Sequence, residues 1–175
     1  KFAVYPYLHD RIHSKGQLAF LAACGVKTIL LSESSTTTFS YFSSYQYNAH
    51  AFTVELGKVR PFGQNDMRRF EDAKQAITQL ITQTEYAPTV EMDDLDIYRV
   101  NQVINRNEEQ FTLHFNDDTP NFTDYPKGTV LASEPGKEYI AEQDGEAIVF
   151  PNAKVAIGQR ALLTVVPTTL DKLDV

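Results

Sequence analysis

The rhythm of apolar positions changes along the chain, and the elements it predicts fall into two kinds. Phe2 to Tyr7 reads as a short strand, interrupted by Pro6 and ended by the polar run His9-Asp10-Arg11. Ser14-Lys15-Gly16-Gln17 has capping-box spacing, with Ser14 as N-cap and Gln17 three residues on. The helix it opens should run through Leu18 and Leu21 to Cys24 and stop at Gly25. Val26 to Ser32 is the compact apolar run of a strand buried on both faces. Strand, helix and strand at this spacing form a βαβ unit and point to the α/β class. A loop rich in Ser, Thr and Tyr is expected from Glu33 to Asn48.

Phe52, Val54 and Leu56 then alternate with Thr53 and Glu55, the period of a strand. Gly57, Pro61 and Gly63 interrupt regular structure before a helix opens at Asn65 or Asp66. Met67, Phe70, Ala73, Ile77, Leu80 and Ile81 share one face of that helix, which is expected to lie against the sheet ending in Glu55. Pro88 and the acidic run to Asp96 break the pattern, so the domains are drawn at 1–87 and 88–175. Beyond this point the texture is all β. Tyr98, Val100 and Ile104 mark one strand, Phe111, Leu113 and Phe115 a second, and Asn105 to Glu109 the hairpin between them. Short strands at Thr129–Ala132, Glu138–Ala141, Ala147–Phe150 and Ala161–Val166 complete a small antiparallel barrel or sandwich.

Composition narrows the function classes. A net charge of −7 argues against a nucleic-acid surface, which needs clustered Lys and Arg. No apolar run approaches the length of a membrane span. The single cysteine, Cys24, allows no intrachain disulfide and fits a reducing cytoplasm. It reads as a small buried hydrophobe. A domain that opens directly on Phe2-Ala3-Val4-Tyr5 reads as a piece of a longer polypeptide. A sheet cut partway would expose a strand flank, leaving pairing with a second copy or with an absent N-terminal half as open alternatives.

The candidate chemistry centres on Glu55, a carboxylate on the last residues of an apolar strand just before a loop. In open α/β sheets, ligands bind in the crevice outside the carboxyl ends of the strands. The plainer alternative is a solvated acid where a strand runs out. Phe52-Thr53-Val54-Glu55-Leu56-Gly57-Lys58 followed by Pro61-Phe62-Gly63-Gln64-Asn65-Asp66 resembles the C-terminal half of the succinylglutamate desuccinylases, in the aspartoacylase-like branch of the zinc carboxypeptidase fold. The likeness extends to Thr38-Phe39-Ser40, Phe150-Pro151-Asn152 and Gly158-Gln159-Arg160-Ala161. It implies part of a carboxypeptidase-like mixed sheet with helices, followed by a β domain packed over the active-site mouth. By the same resemblance Glu55 is the general base, Thr38 and Ser40 are substrate contacts, and the substrate is a small N-acyl amino acid.

The reaction so implied is zinc-dependent hydrolysis of N-succinylglutamate in arginine breakdown. A relative cleaving another N-acyl amino acid, or a non-catalytic fragment acting as a binding module, are the alternatives. One zinc ion is implied for the complete enzyme, with ligands from a His-x-x-Glu pair and an Asp-Leu-His segment. None of His9, His13, His50 or His114 is followed three residues later by Glu, and no Asp-Leu-His occurs. The metal ligands are therefore expected upstream of this chain, with none inside it, so the isolated chain is expected to be inactive. His9 and His13, four apart, imitate the zincin pair, but Pro6 before them and the helix start after His13 deny them a helix. Arg11, Lys58 and Arg60 are the local cations able to pair with substrate carboxylates.

Overall fold

The computed structural model describes residues 1–34, 36–170 and 172–174. The chain folds as two compact units, Lys1–Tyr98 with Thr169–Val175, and Arg99–Thr168. Val90, Leu95 and Ile97 belong to the first unit's core and so does Leu170. No helix among the described residues is long and apolar enough to cross a membrane.

In the first unit, β1 (Phe2–Pro6) and β2 (Thr28–Ser32) pair in parallel, Ala3 opposite Ile29 and Tyr5 opposite Leu31. Between them runs α1 (Lys15–Ala23), completing the expected βαβ unit. On the other side of β1, β3 (Thr53–Glu55) pairs antiparallel, with Phe2 opposite Glu55 and Val4 opposite Thr53. Leu18 and Leu21 of α1 bury against Ala3, Tyr5, Ile29 and Leu31. Each such leucine contributes about 1.5–3 kcal/mol of burial.

The start of α1 departs from the expected capping box. Ser14 is the N-cap but makes no side-chain cap bond. The carboxylate of Asp174 accepts from Lys15 N–H instead, a favourable charge at a helix N-terminus. The C-terminus agrees with expectation. Gly25 N–H donates to Ala22 O and Val26 N–H to Leu21 O, the paired bonds of a Schellman motif. Gly25 takes φ +71°, which a side chain adopts only with strain.

The loop expected over 33–48 contains a helix, α2 (Phe39–Tyr47). Its composition hid it, since Ser, Tyr and Phe are indifferent helix formers. Its ends are well made. Thr38 Oγ1 accepts from Tyr41 N–H, and Asn48 closes the helix in the left-handed conformation at φ 55°.

The helix after β3 begins with a 3-10 turn, Met67–Phe70, capped by Asp66, and continues as α3 (Glu71–Thr82). Its packing corrects the expectation. Ala73 and Ala76 enter the core, whereas Ile77 is 50%, Leu80 51% and Ile81 75% exposed. The larger apolar residues of that face do not lie against the sheet. Instead α3 packs on α1, and Ala73 and Ala76 let it approach closely.

The second unit is all β. β4 (Asp96–Asn105), which begins in the first unit, neighbours β10 (Arg160–Pro167). β10 pairs with β9 (Glu146–Val149), and β9 with β6 (Thr123–Tyr125), a strand with no expected counterpart. A second sheet has the order β5 (Thr112–Leu113), β7 (Val130–Glu134), β8 (Lys137–Ile140). The expected hairpin over 105–109 is therefore corrected to a link between two sheets. Its amides find a carboxylate: Glu134 accepts from Asn107 N–H at 3.0 Å, Glu108 N–H at 3.2 Å and the Asn107 side chain at 2.9 Å. Between the sheets lie Ile104, Phe111, Leu131, Tyr139, Ile148 and Leu162.

Candidate active site

Glu55 is the last residue of β3 and is half-buried. Residues directly opposite in an antiparallel pair share a face, so Glu55 shares one with Phe2, and Thr53 with Val4. Ala3, Tyr5 and Val54 fill the other face, towards α1. The first turn of α2 reaches the Glu55 face, since Ser40 Oγ lies 3.0 Å from Thr53 Oγ1. From there a series of hydroxyls leads away, Ser40 to Thr38 at 3.4 Å and Thr38 to Thr36 at 2.8 Å. The structure thus brings Thr38 and Ser40 onto the face that carries Glu55. Thr53 joins them, and only its place two residues before Glu55 could have announced it.

The three cations are distributed differently. Arg11 directs its fork at the C-terminal end of α2. Nη1 donates to Ser44 Oγ at 2.8 Å and Ser44 O at 3.2 Å, and Nη2 to Asn48 O at 2.9 Å. Its guanidinium holds helix carbonyls, a favourable position for a cation. Lys58 and Arg60 stand beyond Gly57, whose φ is +136°, on an exposed stretch shared with Val59 and Phe62.

His9, His13 and His114 are engaged with partners other than Glu55. His9 Nε2 is 3.6 Å from Glu33 Oε2, and His114 Nε2 is 2.7 Å from Ser133 Oγ. His50 is exposed. His13 is buried, its ring nitrogens facing Tyr5 and Leu8. His9 and His13 lie outside any helix, and His13 forms a bridge with Leu173. Among the described residues no group of three or more His, Cys, Asp or Glu could hold a metal ion. The side chains gathered on the Glu55 face by Thr53 are neutral hydroxyls, and they do not by themselves fit zinc, which takes three protein ligands in a catalytic site.

Behind β3, on the α1 side, polar side chains meet in a buried group that sequence patterning did not announce. Burial raises the Tyr5 hydroxyl to about 12 and lowers His13, whose Leu8 contact acts in the opposite direction. Cys24 is buried and its thiol is pushed up by burial, as expected of an inert packing residue.

Known proteins resemble this chain along nearly its whole length. Residues 1–81 match the family model described as Succinylglutamate desuccinylase/Aspartoacylase catalytic domain, and residues 93–168 the AstE/AspA barrel-sandwich hybrid domain. A succinylglutamate desuccinylase of Pseudoalteromonas atlantica is 62% identical over 172 residues, covering 98% of this chain and 49% of the relative. One from Idiomarina loihiensis is 53% identical, over 99% of this chain and 51% of the relative. Among solved structures, a succinylglutamate desuccinylase of Vibrio cholerae superimposes with a TM-score of 0.84 at 35% identity, over 98% of this chain and 51% of that one. The chain spans about half the length of the curated relatives it matches. On both its units, the chain belongs to the succinylglutamate desuccinylase/aspartoacylase family.

Proposed function

We propose that this chain is the C-terminal portion of an amide hydrolase that cleaves N-succinyl-L-glutamate to succinate and glutamate, with Glu55 as its general base. The observation that carries the reading is the placement of Glu55: a half-buried carboxylate ending β3, on the face where Thr38, Ser40 and Thr53 cluster. A carboxylate there can accept a proton from the water attacking the acyl carbonyl. It can then return that proton to the departing amino nitrogen, acting first as base and then as acid. Ser40 and Thr38 are assigned to substrate contact, because hydroxyls both donate and accept and suit a carbonyl beside a carboxylate. Lys58 and Arg60 follow β3 directly and supply the positive charge that an anionic substrate needs against a net charge of −7. Arg11 contributes by holding α2, and through it the position of Ser40.

Zinc is the metal this family implies. The described residues do not fit it alone, so its ligands are assigned to the part of the longer relatives that this chain does not span. The family description also names aspartoacylase, and the cytoplasm is the compartment in which a lone unpaired cysteine is unremarkable.

The test uses the complete polypeptide with N-succinylglutamate and N-acetylaspartate as competing substrates. Glu55→Gln should lower kcat by roughly 10²–10⁴-fold with KM little changed, the scale of a lost general base. Near-normal turnover by that variant overturns the base assignment. Preferential cleavage of N-acetylaspartate moves the substrate to the other named activity, and wild-type inactivity on both overturns the enzymatic reading.

A further inference from the structure

Four hydrogen bonds run in series between two backbone carbonyls on the α1 side of β1 and β3. His13 Nε2 lies 3.2 Å from Leu8 O, and His13 Nδ1 lies 3.1 Å from the Tyr5 hydroxyl. That hydroxyl is 3.2 Å from Gln17 Oε1, and Gln17 Nε2 is 3.1 Å from Ala51 O. His13, Tyr5 and Gln17 are all buried, so bulk water does not stand in for a missing partner. Both ends of the series only accept, and each of the four links therefore needs a hydrogen of its own.

A neutral imidazole supplies one hydrogen and the Tyr5 hydroxyl one. The Gln17 carboxamide supplies one, because its other end is an oxygen. Three hydrogens serve four links. Exchanging the histidine tautomer leaves Nε2 as a lone pair against Leu8 O. Turning the amide over sets Gln17 Oε1 against Ala51 O. Either change moves the gap without closing it. An imidazolium, with N–H on both ring nitrogens, provides the fourth hydrogen and satisfies every link.

We infer that His13 is a protonation-dependent positioning residue for the strand carrying Glu55: as imidazolium it completes the series that fastens Ala51, four residues before Glu55, to α1, and as a neutral ring it leaves one link open. The functional meaning of this rests on the proposed role of Glu55, but the hydrogen count does not.

The surroundings decide where the switch operates. On its own loop His13 meets His9 and Arg11, and from the C-terminal tail Lys172, all of which oppose a further positive charge. Lys172 Nζ donates to His9 O, and His9 in turn faces Glu33. Asp174 donates its backbone N–H to His13 O, while its carboxylate caps Lys15. From β1, Tyr5 touches Nδ1, and Tyr7 stacks on the ring at 4.7 Å, offering a face that favours a cation. Burial dominates and lowers His13, so protonation occurs on the acid side of its ordinary 6.5. Lowering the pH through His13 costs global stability, because a charge becomes buried, whereas the Ala51 contact tightens relative to its locally opened form. A residue that merely packs would not move these two quantities in opposite directions.

The experiment is an NMR pH titration of the ¹⁵N-labelled complete polypeptide. The His13 ring nitrogens report protonation and tautomer, and amide protection factors of Thr53, Val54 and Glu55 report the anchoring of β3. As His13 takes up its second proton, protection at these amides should rise about tenfold relative to those of β2, the scale of one buried unmet bond. Tyr5→Phe cuts the series and should abolish that rise while His13 still titrates. Flat β3 protection through the wild-type titration overturns the inference. So does a His13 that stays neutral throughout the folded range, or an unchanged rise in Tyr5→Phe. Full turnover by Glu55→Gln would remove the base and leave this coupling standing. Flat protection beside an inactive Glu55→Gln would remove only the coupling.

Discussion

Replacing Glu146 by glutamine probes how the second unit holds a buried charge without a cation among its hydrogen-bond partners. Glu146 is 0% exposed. Its Oε1 accepts from Asn101 Nδ2 at 3.0 Å and Gln102 Nε2 at 2.7 Å, and its Oε2 from Glu142 N–H at 2.6 Å. Burial alone would raise its pKa, but these donors and the Thr164 hydroxyl together lower it. Glutamine keeps the shape and presents one oxygen. Placing its NH₂ at Oε2 sets donor against donor at Glu142, and the reverse sets it against two side-chain amides. One stranded donor costs about 1–3 kcal/mol, and each bond to a charged acceptor weakens by roughly 1 kcal/mol on becoming neutral. Relief from burying a charge offsets part of this, leaving a net loss of about 2–4 kcal/mol. With a urea slope of about 1–3 kcal/mol/M, the midpoint of the second unit should fall by roughly 1–2 M, followed on β9 and β10 amide signals. The pH dependence has a defined sign. A carboxylate lowered in the folded state stabilises above its ordinary 4.5, and that contribution is lost as pH falls through the lowered folded value. The gap between wild type and Glu146→Gln should therefore close on acidification. A midpoint shift below about 0.3 M at neutral pH, or a gap that persists in acid, would refute the reasoning.

Arg11→Ala removes the fork from Ser44 and Asn48 and should weaken α2 by about 1–2 kcal/mol, read as faster amide exchange over Phe42–Tyr47. Arg11→Lys should recover little of it, since a point charge cannot span the same acceptors. Gly25→Ala forces a side chain into φ +71°, with its Cβ 2.6 Å from Asp72 Oδ2, and should cost about 1–2 kcal/mol in a thermal melt. Cys24 should resist alkylation in the folded protein and react quickly in denaturant, and rapid modification without denaturant would contradict its burial.

What sequence reading reaches in this chain follows from the range of the forces involved. The βαβ unit was legible because Leu18 and Leu21 repeat at helical spacing and Val26 to Ser32 is uniformly apolar, both consequences of burial that each residue expresses locally. Helix α2 was not. Its stabilisation comes from Thr38 at one end and, at the other, from Arg11, more than thirty residues away, while its own Ser and Tyr residues carry little preference. The cap of α1 is a sharper case. Ser14 and Gln17 fit the local rule, yet Asp174 occupies the N-terminus and Gln17 turns to Tyr5 and Ala51. A contact 159 positions away leaves no periodicity to read.

The same division separates Glu55 from what surrounds it. Glu55 stood out as a candidate because an acid at the end of an alternating strand is a local anomaly, and because the wording around it resembles a known family. The hydroxyls on its face needed the fold, since Ser40 reaches Thr53 only once α2 exists. The buried series behind it needed the fold as well, for Tyr5 reads as an ordinary inward strand residue and His13 as half of a misleading pair. Its hydrogen count nevertheless requires nothing beyond the valences of three side chains and two carbonyls. Local chemistry marks where the proposed base stands. Only the closed fold shows that the carbonyl of Ala51, just ahead of that group, accepts from Gln17 at the far end of a series that begins at His13.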